Sequence, residues 1–137
     1  MRFSDFPVRS SDKLRYGDCD PQGHVNNAIF ATFLETGRCD MLALVSRINS
    51  RSGTAFVIAR LELDFVAEIL WPGQVEIGTA VAKLGNSSIH IEQAVFQEER
   101  LVAKARSVLV HLGADRRSAP LSDAQRAGFT KLLHPCT

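Results

Sequence analysis

Residues 15–27 read RYGDCDPQGHVNN. Two carboxylates (Asp18 and Asp20), a thiol (Cys19), an imidazole (His24) and the side-chain amides of Gln22, Asn26 and Asn27 crowd into one short segment. A simple strand-to-helix link needs far less polar chemistry. The DPQG quartet reads as a turn, because Pro21 fixes φ and Gly23 permits a positive φ. Asn26 or Asn27 is a good N-cap for a helix that follows. The first turn of such a helix carries free N–H groups and a partial positive charge. That end suits an anion or a developing oxyanion. Asp20 beside it could serve as the base for a water or as the nucleophile itself. An ionised Asp is a weak base for an amide or ester. It is better matched to a thioester, whose leaving thiol has a pKa of about 8.5 and departs with little acid help.

Each residue also has a structural reading. An Asp before a turn commonly forms an Asx-turn or cap. Asp18 fits a turn carboxylate. Cys19 lies between two acids, a poor setting for a nucleophilic thiolate. His24 could be a capping or packing residue. Asp18, Asp20 and His24 could be imagined around a metal, but short adjacent ligands on a turn need further partners. No metal and no cofactor is expected.

The flanking elements must position this chemistry. Residues 11–17 are expected as a first strand. After the turn, apolar residues at Ile29, Phe30, Phe33, Leu34, Gly37, Met41, Leu44, Val45 and Ile48 recur at helical spacing, predicting one broad buried stripe. NSRSG at 49–53 should end that helix. The period then changes to two. Val57, Ala59, Leu61, Leu63 and Phe65 should face the core, with Arg60, Glu62 and Asp64 opposite, in a half-buried strand. WPG at 71–73 is a turn. Strands are expected near 74–84, 88–97 and 101–112, linked by LGNSS and the charged QEER hairpin. Ser122 with Gln125 makes a capping box for a last helix. Neighbouring strands with short turns are antiparallel. The expected α+β architecture is a long helix against one face of a curved antiparallel sheet. The other face and the edges need cover, which oligomerisation could supply.

Composition narrows the classes. At 137 residues and 45% hydrophobic, the chain fits one domain over 1–137. A net charge of +1, with no basic face, does not point to nucleic acid. The N-terminal segment lacks an apolar signal-peptide core, and no apolar run approaches the roughly 18 residues of a membrane span. Cys19, Cys39 and Cys136 show no ligand-like spacing. A cytoplasmic protein with reduced thiols is the expectation.

The segment GDCDPQGHVNNAIFATFLETGR resembles the signature loop and helix of the hotdog-fold acyl-CoA thioesterases of the 4-hydroxybenzoyl-CoA thioesterase type. GDCDP followed by Gly23 resembles the bacterial aryl-CoA enzymes. Asp20 followed by HVNN resembles the acyl-ACP thioesterases. Close agreement covers residues 15–38. Ser87–Ser88 and RRSAPLS agree more loosely. The resemblance implies a hotdog fold: a long central helix wrapped by a curved antiparallel sheet of about five strands. It implies hydrolysis of an acyl thioester, acyl-CoA or acyl-ACP, to free acid and thiol. It places the catalytic carboxylate at Asp20 and makes the Asn27 backbone N–H the polariser of the thioester carbonyl. Gly23 permits the turn and close approach of substrate. His24 and Gln22 fall on functional positions of the acyl-ACP-like enzymes. Asn26 holds the loop, and Glu35 matches an acid with a structural or water-orienting role. The family pairs chains edge to edge into homodimers, often homotetramers, with sites at the dimer interface. Arg60, Lys83, Arg106, Arg116 and Arg117 are available for CoA phosphates. Two departures bear on substrate. His24 and Asn26–Asn27 replace bulky aromatics of the aryl-CoA enzymes, and Phe30 stands where Tyr is frequent.

Rival readings are a non-catalytic acyl-CoA-binding hotdog, a hotdog dehydratase or hydratase, and a purely structural member. The dehydratases carry their His and acid on the helix and a nearby strand, whereas His24 falls on the loop.

Overall fold

A computed structural model of the chain describes residues 1–45 and 55–134. A short 3-10 turn at Phe3–Asp5 leads into β1 (Val8–Lys13). A second 3-10 turn at Tyr16–Asp18 and the polar loop then precede α1 (Asn27–Val45). Strands β2 (Ala55–Phe65), β3 (Gln74–Leu84), β4 (Ser88–Gln97) and β5 (Arg100–Leu112) follow, and α2 (Asp123–Thr130) comes last among them. The first strand therefore sits a few residues earlier than 11–17, and the polar stretch belongs to the loop. Ile48, NSRSG and Cys136 lie outside the described residues.

The five strands form one antiparallel sheet in the order β1-β3-β4-β5-β2. Chain order is not pairing order for all four strands after the helix. β3, β4 and β5 pair in sequence, but β2 pairs with β5 at the far edge. The connection 66–73 thus crosses from one side of the sheet to the other. The QEER hairpin is a two-residue turn, with Glu98 and Glu99 both at positive φ (50° and 67°). That is the backbone a tight hairpin needs to match strand twist.

Helix α1 packs on the face formed by β1, β3 and β4. Its N-terminal half buries Phe30, Phe33 and Leu34 against Val75, Ile77, Val95 and Val102. Its C-terminal half buries Met41 and Leu42 against Val81, Ile89, Ile91 and Leu109, with Phe129 of α2 closing that end. The buried arc is centred on Phe30, Leu34, Gly37 and Met41. Arg38 and Leu42 fall inside it, while Leu44 is 68% exposed, contrary to the expected stripe. On the opposite sheet face, Phe3 and Phe6 cover Ala80, Ala94 and Phe96.

A cation is thereby held under the helix. Arg38 is buried, and its Nη1 donates to Gln93 Oε1 at 3.4 Å. Gln93 Nε2 in turn donates to Leu34 O (2.9 Å) and Thr79 Oγ1 (3.0 Å). Burial pushes the Arg38 guanidinium down from its ordinary pKa, against the opposing pull of Glu35 and Cys39.

β2 departs most from expectation. A bulge between Ile58 and Arg60 breaks the strict alternation. Directly opposed residues of an antiparallel pair share a face. Phe56, Ile58, Leu61, Leu63 and Phe65, opposite His111, Leu109, Ser107, Ala105 and Ala103, therefore face α1, and Val57 faces away. Nor is the strand half-buried: Ile58, Leu61 and Phe65 are 46%, 37% and 51% exposed. β2 pairs on one side only among the described residues, and α1 lies toward the other end of the sheet.

A Cβ on Gly37 would lie 2.5 Å from Thr79 Oγ1, 2.7 Å from Gln93 Nε2 and 2.8 Å from Ile77 Cγ2. Gly37→Ala should therefore lose about 2 kcal/mol, the overpacking penalty exceeding alanine's helix-propensity gain of about 1 kcal/mol. Urea unfolding reads this directly, and a stabilised variant would refute the close approach. On the outer face, burial and the charge of Lys83 push His90 below its ordinary pKa. The unfolded chain then takes up that proton first. Stability is full above about pH 6.5 and declines as pH falls below it. His90→Gln should flatten this acid-side decline in unfolding midpoints measured from pH 7.5 to 5; an unchanged slope would contradict the assignment.

Candidate active site

The loop between β1 and α1 is a miniature hairpin. Cys19 and Val25 form an antiparallel bridge. Asp20 N–H donates to His24 O (2.8 Å), Gly23 N–H to Asp20 O (3.0 Å) and Asn26 N–H to Asp18 O (2.8 Å). Gly23 supplies the reversal at φ 85°, which only glycine adopts freely. The Asp20 carboxylate sits inside this turn. Its Oδ1 accepts the N–H groups of Gln22 (2.9 Å) and His24 (3.3 Å). Asp20 thus makes the Asx-type contacts of the structural reading. Its Oδ2 takes no hydrogen bond among the described residues, so one oxygen remains open.

The helix start lies next in the chain. Asn26 Oδ1 accepts the Ala28 N–H (3.0 Å), and Asn26 O accepts the Ile29 N–H (2.9 Å). Asn26 therefore caps the helix, and Asn27 is its first residue. The Asn27 N–H has no acceptor among the described residues. A free donor at a helix N-terminus favours negative charge placed before it. Asp18, by contrast, is occupied: its Oδ2 accepts the Arg15 N–H at 2.9 Å and closes the 3-10 turn.

The crossover connection 66–73 forms the second wall. Val25 N–H donates to Ile69 O (3.0 Å), Leu14 N–H donates to Gly73 O (2.9 Å), and His24 bridges Leu70. Gln97, buried at the end of β4, grips Leu70 twice: Leu70 N–H donates to its Oε1 (3.0 Å), and its Nε2 donates to Leu70 O (2.6 Å). The connection also presents Glu68, whose Oε2 meets His24 Nε2 at 2.8 Å. Phe65 of β2 packs edge-on against Phe30 of α1 with ring centroids 5.0 Å apart.

Asp20, Gly23, His24, Asn26 and Asn27 are thus brought together by one loop. Gln22 stands exposed at the turn tip, engaged there through its backbone N–H. Glu35 lies exposed further along α1, and no hydrogen bond ties it to the loop. Arg60 pairs with Glu62. Arg60, Lys83 and Arg106 share a cleft with Glu62, His90 and Glu92 on the sheet face away from α1. Arg116 and Arg117 are exposed in the turn after β5. Sequence reasoning missed Glu68 and Gln97. Each acts across a chain crossing that no local spacing signals.

Comparison with known proteins agrees with this architecture. Residues 14–129 match the family model of the Thioesterase-like superfamily. The chain is 31% identical over 103 residues to a chloroplastic acyl-acyl carrier protein thioesterase of Arabidopsis thaliana, covering 70% of this chain and 55% of that protein. A second such thioesterase of that plant is 24% identical over 127 residues, covering 88% of this chain and 66% of that protein. The chain thus spans between about half and two thirds of those relatives' length. A crystal structure of a Thermus thermophilus thioesterase complexed with coenzyme A and Zn superposes with a TM-score of 0.86 at 38% identity, covering 93% of this chain and 95% of that one. A 1,4-dihydroxy-2-naphthoyl-CoA thioesterase from Synechocystis shares the fold at 18% identity (TM-score 0.80), covering 93% and 98%. With its helix laid on a five-stranded antiparallel sheet and its polar loop at the helix start, this chain belongs to the hotdog-fold Thioesterase-like superfamily.

Proposed function

We propose that the chain hydrolyses an acyl-CoA thioester to free acid and thiol, with Asp20 as the carboxylate that attacks or activates water. One observation carries the assignment. The loop holds Asp20 with one carboxylate oxygen bound and one open, just before a helix whose first N–H is unpaired. A thioester carbonyl seated there receives a donor on its oxygen and a carboxylate toward its carbon. The thiolate leaves without strong acid assistance. We assign His24, on the same loop, an assisting role. Similarity to a coenzyme A-complexed thioesterase supports acyl-CoA, and the acyl-acyl carrier protein relatives keep acyl-ACP as the alternative substrate.

The test is thiol release from short, medium, long and aromatic acyl-CoAs and from acyl-ACP, with the protein's own cysteines blanked. Asp20→Asn keeps an oxygen for the Gln22 and His24 N–H groups, so the loop should persist. Its kcat should fall by about 10²-fold or more. Full activity in that variant would remove Asp20 from the mechanism. Tight acyl-CoA binding by wild type without turnover would favour the non-catalytic binder.

The working unit we infer is a homodimer, alone or within a homotetramer, joined along β2 with sites at the interface. β2 is an 11-residue edge strand exposing Ile58, Leu61 and Phe65, an arrangement that invites pairing with a second copy. Leu61→Glu should shift sedimentation toward the monomer and reduce turnover with it. An unaltered dimer would point to another interface.

A further inference from the structure

We propose that Glu68 is a positioning residue for the site. Its carboxylate, reaching in from the crossover connection, fixes the His24 ring so that Nδ1 is presented to the substrate. The assignment rests on the thioesterase reading and adds a residue to it.

The geometry has three parts. First, the Nε2–H of His24 donates to Glu68 Oε2 at 2.8 Å, and Nδ1 makes no hydrogen bond among the described residues. When one ring nitrogen is committed to a carboxylate, the other is left to act, as acceptor in the neutral ring and as donor in the charged one. Second, the ring is tied to the Asp20 loop through its own backbone. His24 N–H donates to Asp20 Oδ1, and His24 O accepts the Asp20 N–H. Rotating the His24 ring leaves those bonds intact, so the loop alone does not set the ring. Glu68 does. Third, Glu68 is itself held. Arg100 Nη2 donates to Glu68 O at 3.0 Å, and Gln97 clamps Leu70 two residues on. The support therefore comes from the β4–β5 hairpin, a rigid part of the sheet.

Stability does not account for the pair. The His24 and Glu68 side chains are 38% and 49% exposed, and ion pairs so exposed contribute little to folding. A contact between two distant segments that adds little to stability, yet fixes an imidazole on the Asp20 loop, serves the site.

Glu68→Ala, Glu68→Gln, His24→Ala and the double variant Glu68→Ala/His24→Ala test this in the full-length protein. Glu68→Ala should lower kcat about tenfold with KM within about twofold of wild type and an unchanged unfolding midpoint. Glu68→Gln, whose amide oxygen still accepts from Nε2–H, should recover most of that loss. In the double variant, removing Glu68 should add nothing to the loss caused by His24→Ala. Additive losses, or a fully active His24→Ala, would overturn the proposal while leaving the thioesterase reading standing. The Hδ2 and Hε1 resonances of His24 give a readout independent of turnover, and they should move in Glu68→Ala. If wild type hydrolyses no thioester, the thioesterase reading fails. Unmoved resonances overturn the placement of Glu68 whatever the kinetics show.

Discussion

The close approach of α1 to the sheet at Gly37 is the constraint on which the rest depends. With no side chain there, the helix backbone rests against Thr79, Ile77 and Gln93. Gln93 then reaches the Leu34 carbonyl, a main-chain group in mid-helix, and ties it to Thr79 on the neighbouring strand. Apolar packing alone would let the helix slide. A directional bond to its backbone fixes height and rotation together. The first turn of α1, ten residues earlier in the chain, inherits that position.

The loop before the helix has little freedom left. Its two ends are set by β1 and by α1, and its flank is stitched to the crossover connection at Val25 and His24. Asp20 serves two purposes within it. One carboxylate oxygen organises the turn and the other stays open. The structural and chemical readings of this residue are therefore compatible. The turn holds the Asp20 carboxylate still while leaving one of its oxygens open.

β2 and the crossover connection make the opposite kind of statement. The connection spans the sheet because β2 pairs at the far edge, and that path carries Glu68 to His24 and leaves an apolar edge strand uncovered. The buried Arg38, under the middle of α1, donates to a neutral amide at 3.4 Å. Buried charge without a close carboxylate costs stability. The pull of Glu35 partly offsets the cost of burying Arg38.

The sequence by itself determined what local rules govern. The turn at DPQG, the run of α1, the strands from Gln74 to Leu112 and the Ser122–Gln125 capping box were all legible, because each depends on φ preference, periodicity or hydrogen bonds over a few residues. The cluster of Asp20, Gly23, His24, Asn26 and Asn27 was legible for the same reason, being contiguous. Only the tertiary structure decided the partner of β2, the exposure of that strand and the burial of Arg38. The bulge near Ala59 reversed the side taken by Val57, which a period of two cannot foresee. Glu68 and Gln97 came to the site through a chain crossing. Such contacts are set by which edge a strand joins, and that choice is made by packing over the whole sheet.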